Sequence, residues 1–217
     1  GPAGCGKTYL ATHYALKNLA QGKYENMIIT KPLVEVDGEK LGFLPGDIDE
    51  KTAPYMMSLY YNMEQIIGKE RLEVLKETGV VKVIPLAYMR GLTITDSIVV
   101  LDEAQNATTS QIKTFLTRIG QGSKFIINGD LMQSDIRATN GLDDSVKRFT
   151  GLSRVGFSQF DLEDVVRHPI VGELLARYQD DYELGALSAE ETLSMWLEKQ
   201  EYDEPKATSK FFYKIRN

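Results

Sequence analysis

The chain opens with a glycine-rich run that fits the pattern G-x-x-x-x-G-K-[ST] at every fixed position: Gly1-Pro2-Ala3-Gly4-Cys5-Gly6-Lys7-Thr8. Glycines let successive backbone N–H groups curl around a phosphate chain, and the helix that follows adds partial positive charge. The Lys7 ammonium would bridge the outer phosphates, and the Thr8 hydroxyl would ligate Mg²⁺. The alternative is a glycine-rich turn before an ordinary amphipathic helix. The pattern therefore predicts a site for a nucleoside triphosphate and its metal ion.

Two carboxylates follow the most hydrophobic stretch of the chain. Ser97–Leu101 predicts a buried strand, and Asp102 and Glu103 come directly after it. Ligands bind at the carboxyl edge of parallel sheets, so Asp102 would hold Mg²⁺, and Glu103 would act as general base on the attacking water. The alternative is two ordinary carboxylates at the point where a strand meets solvent. A base beside the magnesium aspartate favours hydrolysis over phosphoryl transfer to a second substrate.

A third polar group follows the next predicted strand, Lys124–Asn128. Gly129 and Asp130 lead to Gln133, which places a carboxylate and an amide at the same edge of the sheet. Gln133 could donate to the γ-phosphate or orient the lytic water, and so respond to whether the triphosphate is intact. The alternative is a polar turn after a strand.

Composition narrows the classes of protein. The 217 residues, 42% hydrophobic and 26% charged, suggest one globular domain with appendages. No apolar run approaches the roughly 20 residues of a membrane span, so no membrane contact is expected. Cys5 is the single cysteine, which excludes an internal disulfide and fits a reducing cytoplasm. Because the net charge is −6, any contact with nucleic acid would need a local basic patch.

Short apolar runs alternate with longer amphipathic stretches, which predicts an α/β fold with a mostly parallel central sheet. Strands are predicted at Met27–Thr30, Val80–Ile84, Ser97–Leu101, Lys124–Asn128 and Arg154–Phe160. Helices are predicted at Lys7–Leu19, Thr52–Ile67, Glu70–Glu77, Ser110–Ile119, Leu142–Phe149 and Pro169–Tyr178, with a turn at Leu44-Pro45-Gly46-Asp47. A phosphate-binding loop normally follows a parallel strand, so we also expect a buried strand ahead of Gly1.

The character of the chain changes after about residue 180, which predicts a domain over 1–180 and an appendage over 181–217. Within the appendage, Ser188 to Glu191 fits a capping box, and an apolar stripe follows it. This pattern predicts a short helix that docks on the domain or on a neighbouring molecule.

Beyond the opening loop, the chain resembles the PhoH-like ATPases, which are relatives of the first motor domain of superfamily 1 helicases. The resemblance runs from Gly1 to about Tyr178 in the family's order. The matching stretches are Gly1–Thr8, Lys40–Asp47, Pro85–Gly91, Leu101–Asn106, Phe115–Gly120, Gly129–Asp130 with Gln133, and Asp164–Pro169. The chain departs from the family at Ile136-Arg137, where Leu-Pro is usual, and beyond Asp180. Bacteriophage-encoded members often carry short divergent tails, which leaves a phage origin open.

The resemblance implies a three-layer, RecA-like P-loop NTPase fold with helices on both faces of the sheet and a short C-terminal helical tail. It implies ATP as the nucleotide, Mg²⁺ as cofactor, ADP as product and a cytoplasmic location, the host cytoplasm for a phage-encoded protein. It also implies RNA or single-stranded nucleic acid as a partner. Thr30 and Lys31 lie at the end of the predicted strand Met27–Thr30, where helicase relatives contact the nucleic-acid backbone. Arg90 is a third candidate for that contact.

Arginines in the family motifs are candidates for a finger that neutralises charge on the γ-phosphate, supplied by the same chain or by a neighbour. Arg167 is the first candidate and Arg118 the second. The alternative for either residue is a surface or structural ion pair.

The leading hypothesis is a Mg²⁺-dependent ATPase coupled to nucleic acid as a helicase-like motor. Superfamily 1 helicases place nucleotide between two motor domains, and this chain has room for one. A neighbouring subunit in a homo-oligomer, such as a hexameric ring, would supply the second wall of the site. A P-loop phosphotransferase acting on a small molecule or nucleotide is the alternative, and phosphate release without an acceptor would separate the two. A slow nucleotide-dependent switch or scaffold is a third possibility.

Overall fold

The structure is a computed structural model that describes residues 1–33, 48–131, 140–166 and 170–171. The chain divides into two compact units, residues 1–167 and residues 168–217, and nearly all of the second unit lies outside the described residues. Several predicted features also lie outside them: the turn at Leu44–Asp47, Gln133, Ile136-Arg137, Arg167, most of the helix Pro169–Tyr178, and the appendage 181–217.

A parallel sheet forms the centre of the first unit. Its four strands lie in the order β2-β1-β3-β4. They are β1 (Asn26–Thr30), β2 (Val81–Val83), β3 (Ser97–Leu101) and β4 (Lys124–Ile127). All three strand pairs are parallel, with Met27 of β1 opposite both Val81 and Ile98. Since every strand runs the same way, the residues that follow β1, β3 and β4 meet at one edge.

Helices connect the strands and cover both faces of the sheet. They are α1 (Lys7–Ala20), α2 (Ile48–Ile67), α3 (Lys69–Glu77), α4 (Thr109–Leu116) and α5 (Gly141–Phe149). The predicted α/β class is confirmed, and each of these helices corresponds to a helix predicted from the sequence. Helix α2 begins four residues before the predicted Thr52 and contains Pro54 within its first turns. None of the helices in the described ranges is long and apolar enough to cross a membrane.

Strand β3 explains why the core has two halves. Its apolar residues are completely buried, and they alternate between the two faces of the sheet. Ile98 and Val100 pack into the core with α1, α2 and α3, whereas Val99 and Leu101 pack into the core beneath α4. A strand that is buried on both faces reads as one continuous hydrophobic run, which is the pattern of Ser97–Leu101.

The segment after β3 is held by α4 and α5. Thr108 caps α4 by accepting a hydrogen bond from the Gln111 nitrogen (3.3 Å), and the Gln111 side chain accepts one from the Thr108 nitrogen (2.8 Å). Gly141, the first residue of α5, donates to the Ala107 carbonyl (2.8 Å). A Cβ at Gly141 would lie 2.6 Å from Ile112 Cγ1, so glycine permits this approach of α5.

Two predicted elements differ in the structure. Helix α4 ends at Leu116 and not at Ile119, because the chain turns to lie alongside Ile94, which donates to the Arg118 carbonyl (2.9 Å). The predicted strand Arg154–Phe160 is wrong: these residues form no strand and are mostly exposed. Val155 and Phe157 suit a strand locally, but a strand needs a neighbour for pairing, and none of the described strands lies against this segment.

Candidate nucleotide-binding site

The glycine-rich loop leads into α1 through two left-handed backbone conformations. Gly4 has φ 88°, and Gly6, the N-cap of α1, has φ 79°. Other residue types adopt these angles only with strain, so the fixed glycines of the motif serve the path of the chain. The Lys7 ammonium spans the loop and donates to the carbonyl oxygens of Gly1 (2.6 Å) and Pro2 (2.7 Å). The loop therefore has a cation at the position where its motif predicts the outer phosphates.

Contacts from two distant segments hold the loop in place. The Gly1 nitrogen donates to the Gly129 carbonyl directly after β4 (3.1 Å). Gly1 also lies so close to Phe160 that an added Cβ would come within 2.6 Å of Phe160 Cβ. On the other side of the loop, the Val166 nitrogen donates to the Gly4 carbonyl (3.3 Å). The loop is thus held by the sheet edge and by the family motif Asp164–Pro169, to which Val166 belongs.

Thr8 and Asp102 meet across the start of α1 and the end of β3. The Thr8 hydroxyl donates to Asp102 Oδ1 (2.8 Å), and only 5% of Asp102 is exposed. The Asp102 nitrogen continues the sheet ladder by donating to the Thr30 carbonyl (2.8 Å), which fixes the direction of the carboxylate. A hydroxyl and a carboxylate are hard oxygen donors of the kind that Mg²⁺ prefers, so this pair fits the predicted metal site.

Burial raises the pKa of Asp102, and the neighbouring charge of Glu103 raises it further. The hydrogen bond from Thr8 and the nearby Asn128 amide oppose this rise. The two polar side-chain atoms of Asn128 are buried and complete no hydrogen bond of ordinary geometry with the described residues. Asn128 was predicted only as the end of a strand, yet its position beside Asp102 follows from the pairing of β3 with β4.

Glu103 lies next to this pair in an unusual backbone conformation. Its φ of 52° and ψ of 41° are left-handed, which costs a residue with a Cβ about 1–2 kcal/mol. The side chain is exposed, and its Oε2 accepts a hydrogen bond from Gln105 Nε2 (2.6 Å). Gln105 in turn accepts from the Asp130 nitrogen (3.0 Å). Sequence reasoning assigned no role to Gln105, although it lies within the acidic motif.

Comparison with known proteins agrees with this geometry. The family model described as "PhoH-like protein" matches residues 1–179. The chain belongs to the PhoH-like family. It is 46% identical over 180 residues to a PhoH-like protein of Bacillus subtilis (strain 168), covering 82% of this chain and 56% of the relative. It is 41% identical over 182 residues to protein PhoH of Escherichia coli (strain K12), covering 82% of this chain and 51% of that protein.

The PhoH-like family confirms the resemblance, and it implies nucleotide binding on a fold related to the P-loop NTPases. The four-stranded parallel sheet with helices on both faces agrees with that fold. The chain spans about half the length of these curated relatives.

Arg118 of this PhoH-like chain lies at the opposite end of the sheet from the loop. Its side chain donates to the carbonyl oxygens of Thr114 (3.1 Å) and Leu92 (3.0 Å). Residues around Leu92 precede β3, whereas Asp102 follows it, and a strand of this length spans about 16 Å. In this conformation, Arg118 stabilises the turn after α4 of its own chain.

The three residues predicted to contact nucleic acid differ in accessibility. Thr30 is completely buried at the end of β1, so its side chain cannot contact a nucleic-acid strand in this conformation. Lys31 directly after it is half-buried, and Arg90 is exposed. Lys31 accepts a backbone hydrogen bond from Leu86 (3.2 Å), which places Lys31 beside the turn that leads to Arg90. Lys31 therefore lies at the carboxyl edge of the sheet, whereas Arg90 lies between that turn and Leu92, whose carbonyl accepts from Arg118 at the far end.

Replacing Asp102 with asparagine should stabilise the nucleotide-free protein at about pH 8. Asparagine keeps an oxygen for the Thr8 hydroxyl and removes a buried charge. Because burial raises the pKa of Asp102, its ionised carboxylate lowers the free energy of unfolding by the full amount at pH values above the folded-state pKa. This destabilisation disappears as the pH falls through the folded-state pKa and the carboxyl group becomes protonated. Urea unfolding between about pH 8 and about pH 4 should show the advantage of Asp102→Asn shrinking with acid.

Asp144→Asn is the control for this prediction. The hydrogen bond from Arg148 lowers the pKa of Asp144, so its carboxylate is stabilising above its usual pKa, and that contribution is lost with acid. The two variants should therefore change stability in opposite directions at about pH 8. If the stability gain of Asp102→Asn grew as the pH fell, burial of the Asp102 carboxylate would not be destabilising, and the prediction would be wrong.

Proposed function

We propose that this chain is the catalytic domain of a Mg²⁺-dependent ATPase that hydrolyses ATP to ADP and phosphate. The observation that supports it most directly is the hydrogen bond between Thr8 and Asp102, because it joins the phosphate-loop hydroxyl to the acidic motif. Lys7 and Glu103 adjoin this pair on either side in the sequence. One edge of the sheet thus holds a cation, a metal-binding pair and a carboxylate base.

Each of these residues has a role that follows from its chemistry. The loop N–H groups and Lys7 would bind the phosphates, and Thr8 and Asp102 would hold the magnesium ion, which neutralises phosphate charge when bound. Glu103 is exposed at this edge and carries an ionisable oxygen, so it can take a proton from an attacking water. Gln133 remains a candidate for sensing the γ-phosphate.

A phosphotransferase and a slow nucleotide-dependent switch are the competing functions. A kinase delivers its phosphoryl group to a substrate hydroxyl and must keep water away from it. Here Glu103 is exposed and sits beside the magnesium aspartate, which favours water as the nucleophile. Release of phosphate in the absence of any acceptor would distinguish hydrolysis from transfer, and its rate would distinguish an ATPase from a switch.

Lys7→Ala should abolish ATP binding, because it removes the cation that faces the outer phosphates. Glu103→Gln should bind ATP with Mg²⁺ as the wild type does, while turnover falls by about 10²–10⁴-fold. Isothermal titration and phosphate release measure the two effects separately. Lys17→Ala, an exposed lysine on the same helix, is the matched control and should change neither. Equal loss of binding in Lys7→Ala and Glu103→Gln would refute these roles.

We further propose that hydrolysis is coupled to RNA or single-stranded nucleic acid. Support comes from Lys31, a cation directly after β1 at the carboxyl edge of the sheet, and from the exposed Arg90, on a chain of net charge −6. Cations that follow β1 would contact phosphates of a bound strand close to the nucleotide site. Thr30 is not part of this proposal, because its side chain is buried.

Single-stranded RNA or DNA should stimulate phosphate release, and the stimulation should weaken as salt rises, because backbone contacts release counterions. The double variant Lys31→Gln/Arg90→Gln should lose most of the stimulation and keep its basal rate. Lys23→Gln is the control: Lys23 is exposed ahead of the amino end of β1, at the opposite edge. Equal stimulation of all variants at each salt concentration would rule out this surface.

We also propose that the site is completed by an arginine finger within a homo-oligomer, such as a hexameric ring. Arg167 is favoured over Arg118 as the finger. Val166, its neighbour in sequence, donates to the loop at Gly4, whereas Arg118 is engaged by carbonyls at the far end of the sheet. Arg118 could reach a γ-phosphate only in a neighbouring subunit.

Arg167→Ala should lower turnover by about 10³–10⁵-fold, the range that fingers contribute. Arg118→Ala should instead lower stability, because its guanidinium ties α4 to Leu92. Mixing Arg167→Ala with Lys7→Ala protein tests the shared site, since each subunit would then supply what the other lacks. Recovered activity would indicate a finger acting between subunits. No recovery, with a monomer by light scattering in the presence of ATP, would exclude the ring.

A further inference from the structure

Gln105 lies behind the exposed acidic residue Glu103 and is itself buried, with 3% of its surface exposed. Its Nε2 donates to Glu103 Oε2 (2.6 Å), and its Oε1 accepts from the Asp130 nitrogen (3.0 Å). One amide thus joins the carboxylate that follows β3 to the backbone of the turn that follows β4. The bond to Glu103 is charge-assisted and short, which makes it stronger than an ordinary amide contact.

The turn after β4 is shaped to accommodate this amide. A Cβ added to Gly129 would lie 2.5 Å from Gln105 Oε1 and 2.8 Å from Leu142 Cδ2. Gly129 therefore lets the backbone of the turn approach the Gln105 side chain. The backbone supports the same arrangement, since the Ala104 nitrogen donates to the Asn128 carbonyl (3.0 Å).

Glu103 needs such support more than an ordinary surface glutamate does. Its backbone is left-handed, its side chain is exposed, and the neighbouring carboxylate of Asp102 repels it. A free glutamate side chain would populate several rotamers, and only some would point a carboxylate oxygen at one water molecule. The Gln105 amide is a neutral donor, so it orients Glu103 through a hydrogen bond without bringing a cation to the carboxylate.

We propose that Gln105 is a positioning residue for hydrolysis: it holds the Glu103 carboxylate in one orientation and ties it to the turn at Gly129 and Asp130. This inference rests on the proposed function, because it needs Glu103 to act as the base. The bridge also joins the base to the segment that leads toward Gln133. A displacement of that turn would therefore reach the Glu103 carboxylate through the Gln105 side chain.

The test compares two substitutions that remove the bridge in different ways. Gln105→Met keeps the size of the side chain and loses both hydrogen bonds. Gly129→Ala keeps Gln105 and places a methyl carbon 2.5 Å from its Oε1. Gln105→Met should bind ATP with Mg²⁺ at the wild-type affinity, keep its KM and lose up to about 10²-fold in kcat, the cost of a misplaced catalytic group, and Gly129→Ala should show a comparable loss of kcat. The double variant should lose no more than the worse single variant.

Gln111→Met is the matched control. Gln111 makes a comparable set of hydrogen bonds in the capping box of α4, but it does not contact the acidic pair. It should lose stability to urea and keep kcat. A merely structural role for Gln105 would give the same result as Gln111→Met, a stability loss at wild-type kcat, and would overturn the inference.

The same measurements separate this inference from the function on which it rests. Wild-type phosphate release that collapses in Glu103→Gln and survives in Gln105→Met would leave the ATPase intact and refute the positioning role. Kinetic losses in Gln105→Met and Gly129→Ala that simply multiply in the double variant would also refute it. Wild-type protein that releases no phosphate would overturn both the function and the inference.

Discussion

A buried carboxyl group at the end of a completely buried strand is the constraint on which the site depends. Strand β3 has no exposed apolar side chain, and its next residue, Asp102, is almost as deeply buried. A buried carboxylate is unfavourable unless polar partners surround it. The Thr8 hydroxyl supplies one, and the Asn128 amide lies beside it. The glycine-rich loop, α1 and the end of β4 are thereby drawn to one point.

The site is an extension of the sheet beyond its strands. After β3 ends, the Asp102 nitrogen still bonds to Thr30, and the Ala104 nitrogen bonds to Asn128. These continued ladder bonds tie the loop backbone to its neighbours, although loops are usually the more mobile parts of a fold. Among the non-glycine residues that the structure describes at this edge, Glu103 alone has a left-handed backbone.

Membership of the PhoH-like family and the geometry of the loop and acidic pair both favour nucleotide binding at this edge of the sheet. The family model covers residues 1–179, which include each strand and helix that contributes to the described site. The relatives extend over about twice the length that this chain matches. The glycine-rich loop and the acidic pair both lie within the matched residues.

Local patterns were enough to predict the turn of the glycine-rich loop into α1, the position of the acidic pair after β3 and the four paired strands, because glycine angles and continuous apolar runs are properties of neighbouring residues. The strand predicted at Arg154–Phe160 failed for the opposite reason, since strand formation needs a partner that local pattern cannot supply. Tertiary structure alone decided that Thr30 is buried, that Arg118 faces away from the site, and that Gln105 reaches Asp130. Each of these depends on the order and direction of strands distant in sequence, which spacing along the chain does not encode.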